Sequence, residues 1–96
     1  MERQPCVYIL ASRRNGTLYI GVTSTLGKRI WEHKAEAVAD FFKLYAVPTL
    51  VWHEIHETME SAIHREKTLK KWRRQWQIRL INAFNPEWKE LYETIV

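Results

Sequence analysis

The sequence predicts an α+β fold, a small three-stranded antiparallel sheet flanked by helices. Two short runs rich in β-branched and aromatic residues are joined through Asn15-Gly16. A third alternating run follows Pro48, and the segments between and after carry apolar residues at helical spacing. Ninety-six residues leave room for a single domain spanning 1–96, since domains usually run from about 50 to 250 residues. With 46% apolar and 12% aromatic residues, the chain can bury a core.

Residues 6–12, Cys-Val-Tyr-Ile-Leu-Ala-Ser, and 17–22, Thr-Leu-Tyr-Ile-Gly-Val, are the expected strands of an antiparallel hairpin, with Arg13 to Gly16 as its loop. A four-residue loop sets Tyr19 opposite Leu10 and diagonal to Tyr8, so the two phenols share a sheet face. Thr23 or Ser24 can cap a first helix, in which Leu26, Arg29, Ile30 and His33 recur at helical spacing through about Ala39. Residues 49–55 alternate as a third strand, whose partner the pattern leaves open. Thr58 is expected to cap a helical stretch from about Met59 to Ala83, broken near Arg73. Asn85-Pro86 is expected to open a last short helix holding Trp88 and Leu91. The order is ββαβα with a helical tail.

Fifteen basic residues against eleven acidic ones give a net charge of +4, which favours a polyanionic partner. One cysteine closes no internal disulfide, and neither a secretory leader nor an apolar run of about 18 residues is present, so a cytoplasmic protein without a membrane partner is expected.

The informative residues are polar ones standing where the periodicity asks for apolar ones. Arg29 and His33 share the helix stripe of Leu26 and Ile30. They either snorkel and bond to backbone, or aim a cation and a titratable imidazole at an anion. Glu66 fills the gap in the stripe of Ala62, Leu69, Trp72, Trp76 and Leu80. It either pairs with Arg65, Lys67 or Lys70, or offers a carboxylate to a hard divalent cation. Tyr8 and Tyr19 are either ordinary strand residues or neighbouring phenols with a task.

These positions together resemble the GIY-YIG nuclease superfamily, in particular its small stand-alone members, across nearly the whole chain. Cys6-Val7-Tyr8 stands in place of the first Gly-Ile-Tyr element, and Tyr19-Ile20-Gly21 is the second element letter for letter, its tyrosine eleven positions after Tyr8. Arg29, ten residues after Tyr19, fits the family's catalytic arginine. His33 fits a position held by His or Tyr, and Glu66 the metal-binding glutamate. Tyr45-Ala46-Val47, Lys70-Lys71-Trp72-Arg73-Arg74 and Asn85-Pro86-Glu87-Trp88 are similar to the stand-alone subgroup, and Asn85 is preferred to Asn82 as the family's late asparagine. Two departures are Cys6 for glycine and Ala39-Asp40-Phe41-Phe42 for a Gly-Phe-Thr segment bordering the family's cleft.

The resemblance implies a metal-dependent endonuclease that hydrolyses DNA phosphodiester bonds, with DNA repair or recombination as a candidate setting. One Mg²⁺ or Mn²⁺ ion would be held by Glu66 alone, with waters and phosphate oxygens completing its shell, and no organic cofactor is implied. Tyr8 is the expected general base, helped by Tyr19 and His33, with Arg29 on a non-bridging phosphate oxygen. Residues 60–82 carry seven Lys or Arg against two Glu. Arg65, Lys70, Lys71, Arg73 and Arg74 are expected on phosphates, with the interleaved tryptophans in the core. The alternative is a non-catalytic nucleic-acid-binding module retaining the fold. Zinc at His53 and His56 ranks below both, because a three-residue spacing on a strand points the two rings to opposite faces. The pattern leaves the oligomeric state open.

Overall fold

The computed structural model describes residues 3–39 and 48–95. The segment around Phe41 and the Tyr45-Ala46-Val47 segment lie outside them. Strands β1 (Cys6–Ala11) and β2 (Leu18–Thr23) form the expected hairpin, with Leu10 opposite Tyr19 and Tyr8 opposite Gly21. The loop closes where Ser12 N–H donates to the Thr17 carbonyl at 3.0 Å and Gly16 N–H to the Arg13 carbonyl at 2.8 Å. Asn15 takes a left-handed φ of 58° there, which an Asn side chain tolerates.

Strand β3 (Thr49–Ile55) pairs antiparallel with the free edge of β1, so the sheet order is β2-β1-β3 and every residue of central β1 is buried. A bulge sits in this pair: Ile9 faces Trp52 while Leu10 faces Leu50, leaving Val51 as the extra residue. Its effect is to send Val51 and Trp52 into the core with Val7, Ile9 and Ile20. Leu50 stays with Tyr8, Leu10 and Ile30 on the opposite face.

Helix α1 (Leu26–Ala39) covers the Tyr8 and Leu10 face through Ile30, and α2 (Met59–Lys71) and α3 (Arg74–Phe84) cover the other through Ala62, Leu69 and Ile81. Thr25 precedes α1, later than the expected caps: Arg29 N–H bonds the Thr25 carbonyl at 2.9 Å, while Thr23 Oγ1 takes the Thr25 N–H at 3.0 Å. Thr58 caps α2 as its position predicts, accepting from Ser61 N–H at 3.1 Å. The break falls at Trp72 and Arg73, both extended, where the Gln77 side-chain amide donates to the Leu69 carbonyl at 2.9 Å. Among the described residues no helix is long and apolar enough to cross a membrane.

The C-terminal stretch departs from expectation, since the last helix, α4 (Tyr92–Ile95), begins only after Leu91. Asn85 holds the intervening chain out of helix: its amide donates to the carbonyls of Val51 (3.1 Å) and Lys89 (2.9 Å), and its Oδ1 accepts the Lys89 N–H (3.1 Å). Trp88 follows with a left-handed φ of 54°, its ring buried. Glu90 then accepts the Leu50 N–H at 2.8 Å and the Lys34 ammonium, and Leu91 N–H bonds the Leu50 carbonyl at 2.9 Å. This stretch covers part of the exposed edge of β3, an edge that would otherwise invite further strands.

Candidate active site

Tyr8 stands at the middle of β1 with 1% of its surface exposed, and its position follows from what lies across the hairpin. Gly21 faces it, and a Cβ built on Gly21 would come within 2.4 Å of Tyr8 Cζ and Oη. Only glycine lets the phenol lie over β2, where its centroid is 6.3 Å from that of Tyr19 at an interplanar angle of 34°. The need for Gly21 was readable in principle, since a glycine inside an apolar strand marks a close approach. In the sequence Gly21 stands out only as a letter of the Tyr19-Ile20-Gly21 element.

Arg29 and His33 lie one turn apart on α1 and so address the same spot. The His33 ring meets Tyr8 and Tyr19 edge-on, at centroid distances of 6.0 and 5.2 Å, and its Nε2 is 3.1 Å from the Tyr8 hydroxyl. Arg29 sits beside that hydroxyl and also pairs with Glu32 at 3.6 Å. Glu66 approaches from α2, which packs on β2 and β1. Its carboxylate, 15% exposed, is 3.3 Å from Lys70 Nζ, and its charge is felt at Tyr8.

Electrostatics divides the roles. The Tyr8 phenol is pushed up to about 12 by burial and by Tyr19, with Arg29 opposing and Glu66 adding to the shift. Burial, then Arg29, holds His33 below the ordinary imidazole range, against a weaker pull from Glu36 and Glu32. His33 is therefore neutral at neutral pH and able to accept a proton.

The start of α2, and with it Glu66, is fixed by a polar chain. Glu54 accepts from Arg65 Nε at 3.1 Å and pairs with His56 Nε2 at 2.7 Å, and His56 Nδ1 bonds Ser61. Arg65 is thus turned inward, its guanidinium 5.4 Å from the centre of the Trp72 ring. Arg74 is also engaged within the fold, donating to the carbonyls of Asn15 (2.7 Å) and Gly16. Lys70 pairs with Glu66, Lys71 is exposed, and Arg73 lies over Trp76 at 5.7 Å. The side chain of Asn85 is taken up by the backbone of Val51 and Lys89.

Among the described residues no group of three His, Cys, Asp or Glu side chains could hold a metal. His53 stacks edge-on to Phe84 at 5.5 Å, and His56 is bound to Glu54 and Ser61. A partly open single carboxylate, Glu66, suits a hard ion that keeps its waters and takes phosphate oxygens; it does not suit a zinc cage.

An antiparallel hairpin presenting two phenols to an Arg and a His on the next helix, with a carboxylate arriving from the helix after β3, defines a GIY-YIG-type catalytic domain. The chain belongs to that family: a family model described as the GIY-YIG catalytic domain matches residues 4–82. The family is one of nucleases, which implies a nucleic acid as substrate. Within it, the chain is similar to bacterial proteins named UPF0213. One from Staphylococcus aureus is 33% identical over 75 residues, covering 78% of this chain and 90% of the relative. One from Staphylococcus saprophyticus is 32% identical over 76 residues, covering 79% and 92%. The solution NMR structure of a UPF0213 protein from Bacillus halodurans superposes with a TM-score of 0.58 at 23% identity, covering 91% of this chain and 92% of that one. That likeness supports the fold alone.

Proposed function

We propose that the protein is a divalent-metal-dependent endonuclease that hydrolyses phosphodiester bonds in DNA. The observation that carries this reading is the Tyr8 hydroxyl, held 3.1 Å from the Nε2 of a neutral His33 beside the Arg29 guanidinium and within the field of Glu66. A phenol raised to about 12 is a poor base when it acts alone. Paired with His33 it can take the proton of an attacking water while passing its own to Nε2, so no free phenolate forms. The water becomes hydroxide equivalent at the phosphorus, and the imidazole becomes imidazolium. Arg29 binds a non-bridging phosphate oxygen, where its planar charged fork stabilises the transition state. Tyr19, half-exposed at the mouth, orients the water. Glu66 would hold Mg²⁺ or Mn²⁺, which would supply neutralisation of phosphate charge and a more acidic water. Lys70, Lys71 and Arg73 are the cations that contact the DNA backbone. Arg65, Arg74 and Asn85 are assigned to holding the fold that positions them.

The test is a substrate panel of duplex, nicked, flap, branched and single-stranded DNA with Mn²⁺ or Mg²⁺. The branched and nicked forms represent intermediates of repair and recombination. The parent is expected to cut at least one form, chelation to stop it, and Glu66→Gln to reduce it at least about 100-fold. Cleavage unaffected by chelation or by Glu66→Gln would remove the metal role. The raised Tyr8 phenol favours a second reading, a nucleic-acid-binding module without useful cleavage. Such a module would show salt-dependent DNA affinity, no cutting of any panel member and no divalent-ion binding through Glu66.

A further inference from the structure

The apolar stripe of Trp72, Trp76 and Leu80 assigns all three to the core, yet Trp76 is 44% exposed on α3. Trp72 packs against the core and braces Trp76 edge-on, with ring centroids 6.3 Å apart and planes at 84°. An open cleft of about 410 Å³ is lined by Trp72, Trp76, Arg79 and Leu80. Arg73, three residues before Trp76, lies over its ring at 5.7 Å, and Arg79 stands three residues after it. Among the described residues neither arginine pairs with a carboxylate. One helix face therefore carries guanidinium, indole and guanidinium at successive turns.

We infer that this cleft is a stacking site for an unpaired DNA base, with Arg73 and Arg79 holding the phosphates on either side. The inference rests on the proposed action on DNA and names the form of DNA preferred. Charge selects the partner: residues 60–82 carry seven Lys or Arg and two Glu, and one Glu is already bridged to Lys70. Geometry selects the unpaired state. Bases inside a duplex present only their edges, so a duplex would use the cations and leave the indole idle, whereas an unpaired base offers a whole face. The brace from Trp72 keeps the indole from collapsing onto α3, as a platform requires. The start of α3 is anchored by Arg74 to the hairpin loop, three residues before Tyr19.

The test measures binding by the full chain in EDTA, so that cleavage plays no part. The probes are an oligo-dT carrying one 2-aminopurine, a gapped duplex and a blunt duplex. The parent is expected to bind the first two more tightly and to quench the 2-aminopurine. Trp76→Ala should lose about 5- to 150-fold on the single strand, the equivalent of about 1–3 kcal/mol for one stacked base. Its salt dependence should not change, and Trp76→Phe should recover most of the affinity. Arg79→Gln should lower the salt slope by about 0.7 on the single strand. Melting curves show whether each variant is folded. Affinity of folded Trp76→Ala within about twofold of the parent, an equal loss on blunt duplex, or no oligonucleotide binding by the parent would each overturn the inference. The last result would turn the cleft over to a protein ligand. If the Trp76→Ala loss appears while no DNA is ever cut, the nuclease reading fails and this one stands.

Discussion

A phenol pushed up to about 12 is ionised in only about one molecule in 10⁴ to 10⁵ near pH 7.5, so Tyr8 depends on the imidazole 3.1 Å away. Tyr8→Phe should slow single-turnover cleavage by at least about 100-fold while DNA affinity in EDTA stays the same; loss of affinity instead would mark Tyr8 as a binding group. The pH dependence follows from His33. Burial and Arg29 lower its pKa, so it stays neutral further into acid than a free imidazole and accepts protons until it is protonated. The acid limb of the rate should therefore lie below pH 6.5, the ordinary value, and disappear in His33→Gln. A limb above that value, or one that survives the substitution, would assign the base elsewhere. Gly21 makes the sharpest steric prediction, because a methyl there meets Tyr8 Cζ and Oη at 2.4 Å. Gly21→Ala should destabilise the fold by about 1–3 kcal/mol through overpacking and reduce cleavage with it. An unchanged melting temperature would mean that the phenol does not lie over β2.

At the scale of elements, the C-terminal stretch gives the clearest contrast between a catalytic and a supporting residue. Asn85 is buried and makes three backbone bonds across β3 and Lys89. Asn85→Ala should destabilise by about 1–3 kcal/mol, because groups it satisfied are left unpaired. The cleavage rate of the folded fraction should hold; a large rate loss at unchanged stability would return Asn85 to the chemistry. This residue also marks the limit of what the sequence could say. The hairpin was legible because Asn15-Gly16 and a four-residue loop set its register, and α2 because Thr58 caps a clear periodicity. The break before α3 falls where the sequence places it, near Arg73. The last helix was misplaced because a Pro after Asn85 looks like a helix start, while the bond from the Asn85 amide to Val51, 34 residues away, leaves no local trace. The same reason hid the engagement of Arg65 and Arg74 within the fold, since a guanidinium reads as free surface charge until its acceptors, Glu54 and the hairpin carbonyls, are in place. Trp76 was hidden in the opposite sense, its helical phase being that of the core.

Across the whole molecule, the sheet serves as a partition: hydrophobic side chains fill both of its faces, and the candidate chemistry gathers at the hairpin. Tyr8 and Tyr19 come from β1 and β2, Arg29 and His33 from the helix on one face, and Glu66 from the helix on the other. Tyr8, Tyr19 and His33 touch one another, and Arg29 and Glu66 join them through their charges on Tyr8. A site assembled from opposite faces of a sheet should behave as a unit, so its parts should fail together. The most direct measurement is single-turnover DNA cleavage in Mn²⁺ by the parent, Tyr8→Phe, Glu66→Gln and the double variant, each checked for folding. Both single variants should fall by at least about 100-fold, and the double variant should fall no further than the worse of the two. Single variants that cut like the parent, or losses that multiply in the double variant, would contradict one shared site.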